Sequence, residues 1–189
     1  MRRILCLGDS NTYGWDPRSY LGSQYPPGVR WTGLLRGMGW EAANCGQNGL
    51  CIPPSEAFPA VADLLKRVGD VEVIAVMLGG NDLLKGASAM EAAASMEALT
   101  DFLAEKRGAS RVLLIAPPPF RFGDWVQTQM LIDESVQLGR LYQALADRPG
   151  FLFADARAWD VELTFDGVHF SPAGHAAFAK GLGRVLEKI

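Results

Sequence analysis

Short, almost unbroken apolar runs alternate along the chain with longer segments whose apolar residues recur at helical spacing. The runs at 71–78 (Val-Glu-Val-Ile-Ala-Val-Met-Leu) and within 111–116 lack the polar alternation of a half-solvated strand. They read as central strands covered on both faces. Further strands are expected at 3–7, 41–44 and 151–155. Between them, 55–67 and 88–106 have helical periodicity, each with Ser at the N-cap and a glycine, Gly69 or Gly108, just beyond the end. A third helix is expected over 133–146, stopping before Pro149-Gly150. A fourth is expected over 172–186, with Ser171 as N-cap and Pro172 at its first position. Strands alternating with helices predict an α/β fold built on a mostly five-stranded parallel sheet. Two stretches, 15–30 and 117–132, are long, irregular and rich in Gly, Pro and aromatics; loops of that length in a compact fold are more often functional than idle.

A length of 189 residues favours one domain, 1–189, and 49% hydrophobic with 21% charged residues excludes disorder and coiled coil. Eighteen Lys and Arg against 21 Asp and Glu give a net charge of -3 without a basic cluster. That balance argues against nucleic acid or an anionic membrane as partner and for a small molecule. The apolar run at 4–7 after Arg2-Arg3 is too short for a signal peptide, and nothing approaches the ~20 apolar residues of a membrane span. Cys6, Cys45 and Cys51 form an odd set without metal-ligand spacing, so a reduced, cytoplasmic protein is expected, with the cysteines as small buried hydrophobes and no metal.

Ligands of an open parallel sheet bind at the carboxyl ends of its strands, and the segment after each strand here is chemically loaded. Gly8-Asp9-Ser10-Asn11 comes after the first, Asn44-Cys45-Gly46 after the second, Gly79-Gly80-Asn81-Asp82 after the third, and Asp166-Gly167-Val168-His169 beyond the fifth. Acyl transfer to a serine needs a nucleophile, a base, a carboxylate to orient the base, and donors for the oxyanion. Ser10, His169 and Asp166 can fill the first three roles. The Ser10 and Gly46 N–H groups and the Asn81 amide can fill the last. Of the two histidines, His175 falls inside the last helix and reads as structural. Asp155 and Asp160 are other carboxylates near the end of the chain, without the short fixed spacing to His169. Asp9 is expected to brace the loop around Ser10, and Asp82 to cap a helix or support a neighbour. Trp15, Trp125 and Phe170 are candidate pocket walls or core aromatics.

These four blocks, in order over nearly the whole chain, resemble those of the SGNH (GDSL-type) hydrolases. The resemblance implies a flavodoxin-like three-layer α/β/α sandwich, a cofactor-free and metal-free esterase or acyltransferase, a small-molecule ester substrate, and the roles just given to Ser10, Gly46, Asn81, Asp166 and His169. Asn11 stands where the family's nickname motif has Leu, a position read as tolerant. Residues 4–15, Arg30-Trp31-Thr32-Gly33 and Pro117-Pro118-Pro119 are similar to the bacterial arylesterase and acyltransferase branch, which implies small acyl groups and homo-oligomers. No nucleophile elbow, Walker loop or His-Glu-x-x-His occurs. The competing expectation is a phosphate- or flavin-binding module cradling its ligand on Ser10-Asn11-Thr12-Tyr13-Gly14.

Overall fold

The computed structural model describes residues 1–19, 21–107 and 111–189. Five strands form one parallel sheet: β1 (Arg2–Gly8), β2 (Trp40–Gly46), β3 (Val73–Met77), β4 (Arg111–Ala116) and β5 (Phe151–Asp155). They lie in the order β2-β1-β3-β4-β5, the flavodoxin-type order, whose switch point falls between β1 and β3. Along the central strands alternate residues enter two separate cores. Leu5, Leu7, Ile74, Val76, Val112 and Leu114 pack on one face with Leu65, Met96, Leu99, Leu138 and Tyr142. Ile4, Cys6, Val73, Ala75, Leu113 and Ile115 pack on the other with Trp31, Phe178, Leu182 and Leu186. Three layers result.

Helices α3 (Phe58–Val68), α5 (Ala89–Arg107) and α6 (Gln129–Ala146) supply the first face, and α2 (Trp31–Leu34) and α7 (Pro172–Leu186) the second. The Ser171 hydroxyl caps α7 by accepting the Gly174 N–H at 3.0 Å, with Pro172 in the first turn as expected. Helix α3 ends at Gly69 with φ +77. Gly108, expected just beyond α5, lies outside the described residues. Helix α6 begins four residues before the expected 133, because Thr128 caps it by accepting the Leu131 N–H at 3.3 Å. Strand β2 runs two residues past the expected 44, and β3 is trimmed at both ends to 73–77. Three short helices add to the expected elements: α1 (Ser10–Tyr13), α2 and α4 (Gly80–Leu84).

The junction of β2 with α1 is close-packed. Asn44 Nδ2 donates to the Thr12 and Tyr13 carbonyls and to Thr32 Oγ1, at 2.9, 3.3 and 3.0 Å, pinning the end of β2 to both short helices. A Cβ at Gly46 would stand 2.1 Å from the Tyr13 nitrogen and 2.6 Å from the Thr12 carbonyl carbon, where only backbone could yield. Overpacking of that kind typically costs ~1–3 kcal/mol. Gly46→Ala is therefore expected to lose at least that much stability in urea unfolding, and a native midpoint would show that α1 can move away.

Candidate active site

Ser10 occupies the first turn after β1. Asp9 caps that turn, its Oδ1 accepting the Asn11 N–H at 2.9 Å. The turn carrying the base is built independently. Chain 162–171 folds back on itself, the Thr164 N–H donating to the His169 carbonyl at 2.7 Å and the Ser171 N–H to the Glu162 carbonyl at 3.0 Å. Gly167 sits at its tip with φ +82, and a Cβ there would lie 2.1 Å from the Arg121 carbonyl oxygen, so the tip demands glycine. That conformation brings both the Val168 and His169 N–H groups to Asp166 Oδ1, each at 2.9 Å.

The two turns meet at the carboxyl edge of the sheet. Ser10 Oγ lies 3.0 Å from His169 Nε2, and His169 Nδ1 lies 2.7 Å from Asp166 Oδ2. All three are buried, at 6%, 2% and 1% exposure for Ser10, His169 and Asp166. Burial pushes the Asp166 carboxyl up, but the His169 side chain and the two backbone N–H groups outweigh it and hold the group down at about 2. An ionised carboxylate only accepts, so His169 carries its proton on Nδ1 and offers Nε2 as acceptor to the Ser10 hydroxyl. The indoles of Trp15 and Trp125 meet the imidazole edge-on, with centroids 4.4 and 4.9 Å away, and restrict its rotation. The loop over 117–128 braces the same turn: the Arg121 and Trp125 N–H groups donate to the Gly167 and Asp166 carbonyls, both at 3.1 Å.

The remaining expected site residues do not all keep their assigned roles. Asn81 lies in the first turn of α4 and donates one of its two amide hydrogens to the Leu50 carbonyl at 3.1 Å, leaving the other for a ligand. The Gly46 N–H is occupied: it donates to Asn44 Oδ1 at 3.0 Å. The group that reaches Asn81 is instead the turn after β2, closed by Leu50 N–H to the Gln47 carbonyl at 3.2 Å and carrying Gly49 at φ +72. Asp82 does not cap α4, whose N-cap is Gly79; its carboxylate accepts the Ile52 N–H at 3.1 Å and secures the chain just beyond that turn. Phe170 is core, packed on His175 and Phe178, with an edge on the cavity beside Ser10.

Asp155 is taken by Arg157 at 2.6 Å, and Asp160 is not among the partners of His169. The phosphate-cradle expectation fails on geometry: α1 is one turn long and the Asp9 carboxyl already occupies its N–H end. Burial raises Asp9 to about 6, its bond from Asn11 offsetting only part of that cost. Among the described residues no three His, Cys, Asp or Glu side chains converge as metal ligands, and no helix is long and apolar enough to cross a membrane.

The GDSL-like lipase/acylhydrolase family model matches residues 6–177. The chain belongs to that family. Among solved structures, the aryl esterase of M. smegmatis shares 25% identity, with 100% of this chain and 99% of that one covered at a TM-score of 0.83. A carbohydrate acetylesterase from Sinorhizobium meliloti shares 26% over 100% and 99%, at 0.81. Comparison with curated proteins by sequence finds no match.

His175, the family member's second histidine, is a core group. Its Nδ1 accepts the Trp31 N–H at 3.3 Å, and burial, with Arg30 nearby, lowers it from 6.5 to about 4. Between those values the unfolded chain binds a proton that the folded chain refuses, so this residue's contribution to stability is present above about 6.5 and is lost as pH falls toward 4. Replacing it by Asn, which keeps an acceptor for Trp31, is expected to flatten that acid loss by up to about 3 kcal/mol relative to the native chain. Parallel denaturant titrations at pH 7 and 4.5 measure it, and identical slopes in both proteins would contradict the assignment.

Proposed function

We propose that the protein is a serine esterase acting on short-chain carboxylic esters through an acyl-Ser10 intermediate, with residues 1–189 working as one domain. The observation that carries this reading is the continuous relay from Ser10 Oγ to His169 Nε2 and from His169 Nδ1 to Asp166, at 3.0 and 2.7 Å. Ser10 Oγ attacks the ester carbonyl as His169 Nε2 takes its proton. Asp166, an anion through its three donors, stabilises the imidazolium without taking the proton itself. The tetrahedral oxyanion is held by the Ser10 N–H and the second Asn81 amide hydrogen, the Gly46 N–H being engaged by Asn44 Oδ1. His169 then returns the proton to the leaving alcohol, and the cycle repeats with water attacking the acyl-enzyme. A second alcohol in place of water gives acyl transfer.

A cavity of about 20 Å³ lined by Ser10, Asn81, Leu84, Pro118, Phe120 and Val168 supports a short acyl group, since that is room for roughly one water-sized group. Trp15 and the half-exposed Trp125 border the base and suit a ring-shaped leaving group, in keeping with the aryl esterase and carbohydrate acetylesterase neighbours. Three unbridged cysteines support a reducing, cytoplasmic setting, and exposed Phe122, Trp125 and Phe165 support self-association.

Hydrolysis of p-nitrophenyl esters of two to eight carbons tests the reading: kcat/KM should be highest for acetate and fall with each added carbon pair. Ser10→Ala should lose at least about 10⁴-fold in kcat while staying folded, and near-native turnover would overturn the mechanism. Asn81→Ala should lower kcat by about 10²–10³ with little change in KM; a pure KM effect would remove it from the oxyanion site.

A further inference from the structure

Asn11, directly after the nucleophile, makes more contacts than its turn requires. Its backbone N–H is bound by Asp9 Oδ1 and its carbonyl accepts the Trp31 indole N–H at 2.9 Å, so the backbone is fixed on both sides. The carboxamide then reaches across to the turn that carries the base. Its Nδ2 donates to the Val168 carbonyl at 3.1 Å, and its Oδ1 accepts the Phe170 N–H at 2.9 Å. Those two groups flank His169 on either side. A side-chain amide presents one donor and one acceptor side by side, and here they meet the backbone edge of buried residues 168–170 as a neighbouring strand would.

We propose that Asn11 is a positioning residue that sets the distance between nucleophile and base. Asp166 fixes the rotation of the imidazole from the Nδ1 side, but nothing in that contact fixes how far the ring stands from Ser10. The Asn11 clamp does so, because the residue adjacent to Ser10 grips the backbone before and after His169. A leucine of similar size would keep the volume and lose both bonds, leaving the Val168 carbonyl and Phe170 N–H unpaired in a partly buried site. The proposal rests on Ser10 as nucleophile and His169 as base.

The experiment compares native protein, Asn11→Leu, Asn11→Asp and Ser10→Ala by p-nitrophenyl acetate kinetics, Ser10 labelling with a fluorophosphonate, and amide exchange at Phe170. For Asn11→Leu, kcat and the labelling rate are expected to fall together by about 10–100-fold, the cost of misplacing a reacting group by around an ångström. KM should stay within about twofold, and the Phe170 amide should lose protection. Asn11→Asp keeps an acceptor for Phe170 but faces the Val168 carbonyl with a second oxygen. It should retain Phe170 protection and still lose kcat, which serves as the test if the leucine variant does not fold. Native kcat and labelling in folded Asn11→Leu, or a fully active Asn11→Asp, would overturn the clamp. So would a loss of kcat in Asn11→Leu with Phe170 still protected. An active Ser10→Ala would overturn the nucleophile and the clamp together, whereas an inactive Ser10→Ala beside an active Asn11→Leu removes the clamp alone.

Discussion

The hydrogen bond between Ser10 Oγ and His169 Nε2 spans 159 positions of sequence, and the rest of the structure exists in a form that allows it. Parallel strands place all their carboxyl ends on one edge, so the residues after β1 are delivered to the same rim as those after β3. The base does not come from a strand end. It sits on a chain reversal closed by the bridge between Leu163 and Phe170, which must be docked against the rim from outside. That docking engages the backbone of the turn: the Arg121 and Trp125 N–H groups hold it from one loop, and the Asn11 carboxamide holds it from the turn that carries Ser10. Backbone groups of the turn suit the task, because their positions are fixed by the fold rather than by rotamers.

Two carboxyl groups are buried within this rim and they behave oppositely. Both pay a cost of desolvation, which favours the neutral acid. Asp166 meets three N–H donors and is held at about 2; Asp9 has the Asn11 N–H as its side-chain partner and rises to about 6. The donors, set against desolvation, make Asp166 the carboxyl that is an anion near neutral pH. It is the one bonded to the imidazole, where the proposed proton transfer from Ser10 needs a negative charge.

The alternation of apolar runs and helical segments makes the sheet legible, since buried parallel strands leave a continuous hydrophobic signature. The proposed nucleophile, base and carboxylate are legible too, because each is a residue type with a distinctive role at a strand end or a tight spacing. The work of the carboxamides is not. Asn11 reads as replaceable and Asn44 only as the end of a strand and the start of a site block, yet each satisfies several backbone groups from distant segments. Gly46 reads as an oxyanion donor because it stands at a strand end. Its N–H is consumed locally by Asn44, and its missing side chain is needed instead for the approach of α1. Short helices such as α1, α2 and α4 are too brief to show a period, and the start of α6 is hidden because its cap, Thr128, precedes the apolar repeat.

The two irregular loops border the site as their aromatic content suggests, but their first task is mechanical. Trp15 and Trp125 touch the imidazole and each other, with indole centroids 5.9 Å apart, while Trp125 also uses its backbone N–H to hold the Asp166 carbonyl. In the proposed reaction a residue that borders the leaving group and at the same time restrains His169 cannot be exchanged for one purpose without disturbing the other. Changes of specificity are therefore easier on side chains such as Leu84 and Phe120, which line the cavity beside Ser10 and touch neither His169 nor Asp166 through any hydrogen bond or ring contact among the described residues. On the proposed mechanism, substrate range and proton transfer are separable on the acyl side and coupled on the leaving-group side.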